Sequence, residues 1–159
     1  MSEDKKAKTM MLEIVTPYRH FYEGPVESVV LSSLNGSVGI LPGHAPMVIA
    51  LIPGITKITM DGQTRHAVLT DGFAEIGQHL LLILCDSANW PEEIDVRRAS
   101  DAYLRAKERA DALPRQSEEK KYSENSMKRA LERMNIVRLH GTAHQKSTLR
   151  KLDGDTTSE

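Results

Sequence analysis

Asn89-Trp90-Pro91-Glu92-Glu93-Ile94-Asp95 is the stretch at which one kind of sequence ends and another begins. Asn as an N-cap, Pro in a first turn and acids at Glu92, Glu93 and Asp95 are what a helix start needs, because their oxygens meet unpaired N–H groups and the positive dipole end. Before this stretch, short apolar runs alternate with turn residues. After it no strand signal remains. The composition therefore predicts a β-domain over residues 11–90 and a helical domain over residues 91–140.

Upstream, residues 11–16, 26–34, 38–41, 55–60, 65–70, 73–76 and 80–85 are the predicted strands, at the spacing of a sandwich or barrel. Asp61-Gly62 lies between two of them and supplies the positive φ angles of a tight hairpin, and Asn35-Gly36 gives the same signal. Residues 80–85 are apolar without alternation, which reads as a central strand covered on both faces, with Cys85 in the core. Residues 1–10 are polar and read as a disordered tail.

Downstream, Ala99, Ala102, Tyr103, Ala106, Ala110 and Leu113 recur at helical spacing until Pro114 stops the run. A polar connector, residues 115–121, leads to a second helix with a narrow stripe of Met127, Ala130, Leu131, Met134 and Val137. The stripes fit an antiparallel hairpin. Alanines let backbones approach but bury little area, so the seam is weak and can open. Gly141 ends the second helix, and residues 141–159 read as a flexible polar tail.

Charge and composition narrow the function. The net charge of −1 lacks the basic balance of a nonspecific nucleic-acid binder. Residues 11–91 hold seven acids and three bases, net −4, whereas residues 120–138 hold six bases and two acids, net +4. The basic excess is thus local and late, concentrated in residues 120–138. Aromatics make up only 4%, which disfavours a large aromatic ligand pocket. Cys85 is the sole cysteine, so neither an internal disulfide nor a thiolate metal site can form, and a reducing cytoplasmic setting fits. There is no signal-peptide pattern and no apolar run near the about 18 residues of a span, so no direct membrane insertion is expected.

No phosphate-binding loop, nucleophile elbow, zinc-protease motif or dinucleotide fingerprint occurs, so no catalytic residue is assigned. Of six histidines only His140 and His144 have ligand spacing, and they straddle the helix-ending Gly141, so no metal site is expected. A jelly-roll or carbohydrate-binding module with His44 or His66 as a working residue is the alternative. Such modules bind through exposed aromatics, and this region offers only Tyr18, Tyr22 and Trp90. The most distinctive segment runs from Gly36 to Pro46, where glycines and prolines impose a bent path around His44.

Within it, Val38-Gly-Ile-Leu-Pro-Gly-His-Ala-Pro46 closely resembles the signature loop of the epsilon subunits of bacterial F-type ATP synthases. Leu12-Glu-Ile-Val-Thr-Pro17, Asp71-Gly-Phe-Ala-Glu-Ile76, Leu84-Cys-Asp-Ser-Ala88 and Glu93-Ile-Asp-Val-Arg-Arg-Ala99 resemble further family segments in the family's order, covering residues 11–139. The resemblance implies a flattened β-sandwich of about ten strands and an antiparallel helical hairpin. It implies a non-catalytic rotor component of the proton-translocating enzyme, peripheral on the cytoplasmic face of the bacterial inner membrane. The hairpin would fold down on the sandwich or extend among the catalytic subunits and inhibit ATP hydrolysis.

The implied partners are the gamma subunit, the ring of membrane-embedded subunits and an acidic loop on the catalytic beta subunits. Ser37 and His44 fall in the region implied to contact partners at the ring. Lys128, Arg129, Arg133 and Arg138 would meet the acidic loop, or else form a solvated helix face. No cofactor is required, but regulatory ATP binds some members through positions matching Ile94, Asp95, Arg98, Ala99, Arg129 and Arg133. Arginine suits phosphate because it donates a planar fork of hydrogen bonds. Asn89 stands where those members carry an acid, and Asp95 with Arg98 also fits a simple helix-start salt bridge.

Overall fold

A computed structural model describes residues 8–155, which divide into two compact units between Ala88 and Asn89. The strands are β1 (Met10–Val15), β2 (His20–Val26), β3 (Ser28–Ser33), β4 (Gly36–Ile40), β5 (Met47–Leu51), β6 (Gly54–Met60), β7 (Gln63–Leu69), β8 (Gly72–Ile76), β9 (Leu80–Cys85) and β10 (Ala88–Asn89). They hydrogen-bond in the order β10-β7-β6-β3-β5-β8-β9-β1-β2, with β4 on β3. β1 pairs antiparallel with β2 but parallel with β9, Met11 opposite Leu80. This is the expected β-sandwich of ten strands.

Local chemistry fixes the hairpins. Asp61 and Gly62, at φ 48 and 71, turn β6 into β7 with Met60 facing Gln63, as the Asp-Gly signal requires. Between β3 and β4 the turn centres on Leu34 and Asn35, and Gly36, at φ 107, opens β4. Inward residues such as Leu12, Ile14, Leu31, Ile40, Ile58, Leu81 and Ile83 are sealed from solvent. Gly72 is needed because a Cβ there would lie 2.0 Å from the Leu84 carbonyl oxygen on β9.

β9 corrects one expectation. Leu81, Ile83 and Cys85 are buried, but Leu82 and Leu84 are only half-buried and Leu80 is exposed. Its outer face stands beside Phe73 of β8 and Met11 of β1, so the unalternating leucines form an apolar outer strip instead of a second core.

In the second unit a 3-10 turn, Pro91–Glu93, precedes α1 (Val96–Ala112), α2 (Glu118–His140) and α3 (Ala143–Asp155). The helix starts later than the Asn89-Trp90-Pro91 signal indicates. Asn89 is held in β10, Ile94 is extended at φ −81 and ψ 122, and Asp95 is the N-cap. Ala99, Ala106 and Ala110 of α1 and Ala130, Met134 and Val137 of α2 are buried in the hairpin unit, while Leu131 is exposed. Fully buried Ile136 lies off that stripe, so the end of α2 is covered on a second face.

The reading of residues 141–159 as a flexible tail is corrected over its described part. Gly141 does end α2, yet at φ −70, and glycine is needed there because a Cβ would meet the Val137 carbonyl oxygen at 2.6 Å. Residues 143–155 then form α3, which packs on α1 and α2. Of the disordered-tail reading for residues 1–10, residues 1–7 lie outside the described residues, and Met10 is a buried member of β1.

Candidate functional site

The segment from Trp90 to Arg98 is shaped by its own side chains. The Trp90 N–H donates to Glu93 Oε2 at 2.9 Å, closing the 3-10 turn. Asp95 Oδ1 accepts the Arg98 backbone N–H at 3.1 Å, so the two residues meet through an N-cap and the Arg98 guanidinium stays outside that bond. Capping resolves the helix-start salt-bridge alternative: among the described residues no ion pair joins these side chains.

Below the cap, a cleft of about 470 Å³ is lined by Asn89, Glu93, Ile94, Asp95, Arg98, Ala99, Ala102, Arg105 and Arg133. Five of the six expected nucleotide contacts are therefore in one place: Ile94, Asp95, Arg98 and Ala99 from the start of α1, and Arg133 from α2. The small side chains of Ala99 and Ala102 make the room. Burial, and then the guanidiniums of Arg129 and Arg98, lower the pKa of Arg133 from its ordinary value, so cations crowd this end of the hairpin. Arginine stays protonated under such pressure, and an anion relieves it.

Arg129 does not line the cleft. Its Nη2 donates to Ser126 Oγ at 3.0 Å, and its guanidinium lies 5.8 Å from the centre of the Tyr122 ring. Arg105 was missed by the sequence reading, although it stands two turns beyond Arg98 on the same face of α1.

The four cations assigned to an acidic partner do not form one stripe. Lys128 is exposed, Arg129 covers Tyr122, Arg133 enters the cleft, and Arg138 bonds Asp153 on α3 at 3.1 Å. In the first unit, Leu41-Pro42-Gly43-His44 forms a turn in which the His44 N–H reaches the Leu41 carbonyl at 3.1 Å, with Gly43 at φ 83. His44 Nδ1 donates to the Ala45 carbonyl at 2.8 Å. Ser37 is exposed on β4, opposite Ser32. Leu34 and Leu41 are exposed near them, at 77% and 62%.

Residues 9–91 match the family described as the ATP synthase delta/epsilon chain, beta-sandwich domain. The ATP synthase epsilon chain of Caldanaerobacter subterraneus is 41% identical over 134 residues, 82% of this chain and 94% of that one. Those of Alkaliphilus oremlandii and Ruminiclostridium cellulolyticum are 43% identical over 67% of this chain and 79% of theirs, and 40% identical over 81% and 96%. A chain in the cryo-EM structure of the Euglena gracilis mitochondrial ATP synthase, OSCP/F1/c-ring, shares the fold with a TM-score of 0.70 at 20% identity, covering 85% of this chain and 86% of that one. These likenesses leave the carbohydrate-module alternative without support, and the chain belongs to the ATP synthase epsilon chain family.

Proposed function

We propose that this chain works in the central stalk of a proton-translocating F-type ATP synthase, peripheral on the cytoplasmic face of the bacterial plasma membrane. In this role the β-unit binds the gamma subunit and the membrane ring, with Ser37 and His44 on the contacting side. α2 carries Lys128 towards an acidic loop of a catalytic beta subunit when the hairpin opens, and ATP hydrolysis is then inhibited. Among the described residues no helix is long and apolar enough to cross a membrane, so attachment through partners fits.

One observation carries the regulatory part of this reading: the walls of the arginine cleft come from both α1 and α2. An anion held by Arg98, Arg105 and Arg133 binds only while the helices are paired. By linkage it therefore stabilises the closed hairpin. ATP is the ligand that fits this chemistry, its phosphates taking the guanidinium forks. Titration calorimetry of ATP on the intact chain tests it. Saturable binding that Arg133→Ala weakens by about tenfold or more supports the reading, whereas binding unchanged by that substitution places the ligand elsewhere. Assembled enzyme lacking residues 92–159 is expected to hydrolyse ATP faster, and an unchanged rate would remove the inhibitory role.

A further inference from the structure

α3 joins the two ends of the hairpin. Thr142 and Gln145 form a reciprocal cap at its start: the Thr142 N–H donates to Gln145 Oε1 at 2.8 Å, and the Gln145 N–H donates to Thr142 Oγ1 at 3.2 Å. The same Gln145 side chain, buried at 9% exposure, uses its Nε2 to reach two carbonyls of the segment that precedes α1, Pro91 at 2.8 Å and Ile94 at 2.9 Å. Every hydrogen-bonding atom of that amide group is thus engaged. Leu149, one turn on, is 2% exposed.

The attachment to α2 is equally specific. Arg138 Nη2 reaches both carboxylate oxygens of Asp153, at 3.1 and 3.3 Å, and Lys146 Nζ donates to the Leu139 carbonyl at 3.2 Å, satisfying an acceptor that the end of α2 leaves open. One helix thereby grips the segment before α1 and the last turn of α2. These are the ends that part when an antiparallel pair opens.

We propose that α3 is an intramolecular clasp on the hairpin, and that its release precedes the separation of α2 from α1. The proposal rests on the reading of the hairpin as a switch. The bonds suit a releasable element: one large apolar side chain, two hydrogen bonds from a single amide and an exposed ion pair that salt screens. Ile94, whose carbonyl Gln145 grips, also lines the arginine cleft, so the clasp and an anion in the cleft hold the same segment and reinforce one another.

Gln145→Glu is the discriminating variant. It keeps the oxygen that accepts the Thr142 N–H, so α3 can still start, but replaces the two donated bonds by a carboxylate facing two carbonyls. Hydrogen exchange on the full chain, with helicity checked by circular dichroism, is expected to show residues 94–99 and 134–141 exchanging about tenfold faster. Asp153→Ala is expected to give a smaller rise of about threefold, as does raising the salt on the unsubstituted chain. Exchange that stays within about twofold of the original in both variants overturns the clasp.

ATP hydrolysis by the assembled enzyme separates the clasp from the switch. Gln145→Glu is expected to inhibit more strongly than the original chain, and removal of residues 92–159 to relieve inhibition. Faster exchange in an enzyme that truncation does not activate would sink the switch and leave the clasp. Faster exchange without stronger inhibition, in an enzyme that truncation does activate, would overturn the claim that release comes first.

Discussion

Burial on the inner face of β9 leaves the Cys85 thiol little solvent, and with the nearby Asp86 carboxylate it lifts the pKa from 9.0 to about 11. The folded chain thus holds the proton more tightly than the unfolded one. Its contribution to stability is complete below pH 9.0 and is lost as the pH climbs towards about 11. Two outcomes are expected: alkylation at neutral pH that is slow until urea unfolds the β-unit, and a fall in the urea midpoint above pH 9.0 that is smaller in Cys85→Ala. At this scale the sequence was readable, since a lone cysteine in an apolar run had only the core to occupy. Arg133 and Arg138 were readable as charge but not as position, because side chains on one helix diverge towards whatever neighbour the fold supplies.

Among elements, legibility followed hydrophobic pattern. β6, β7, β8 and β9 declare themselves through alternating or continuous apolar runs and Gly turns. β2 was missed because Gly24 and Pro25 contradict strand propensity. It sits at the end of the sheet order, where a residue without an N–H is tolerated. β5 was missed because it lies between the Gly-Pro-rich loop and Pro53 and looks like its continuation. α3 was invisible for a different reason: of its described residues only Gln145 and Leu149 are buried, and the first docks through hydrogen bonds, which leaves no hydrophobic stripe to read. The start of α1 was misplaced, yet its true cap lay within the same segment. Asp95→Ala is expected to lower the stability of the helical unit by about 1 kcal/mol, while Asp95→Asn keeps an acceptor for the Arg98 N–H and costs much less. Urea unfolding followed by helical circular dichroism measures both.

Over the whole molecule, charge and architecture divide at nearly the same place, with acidic excess in the β-unit and basic excess on α2. Part of that basic excess is already matched, because Asp153 takes Arg138. The parallel pairing of β1 with β9 carries a further consequence, one of folding order. β1 waits beside an unfilled sheet position until Leu80 to Cys85 have been made, so the β-unit closes through sequence-distant contacts and is expected to fold slowly for its size. A chain cut after His79 is expected to show no cooperative urea transition. The helical unit follows β9 in the sequence, so its residues are made only after that closure has become possible.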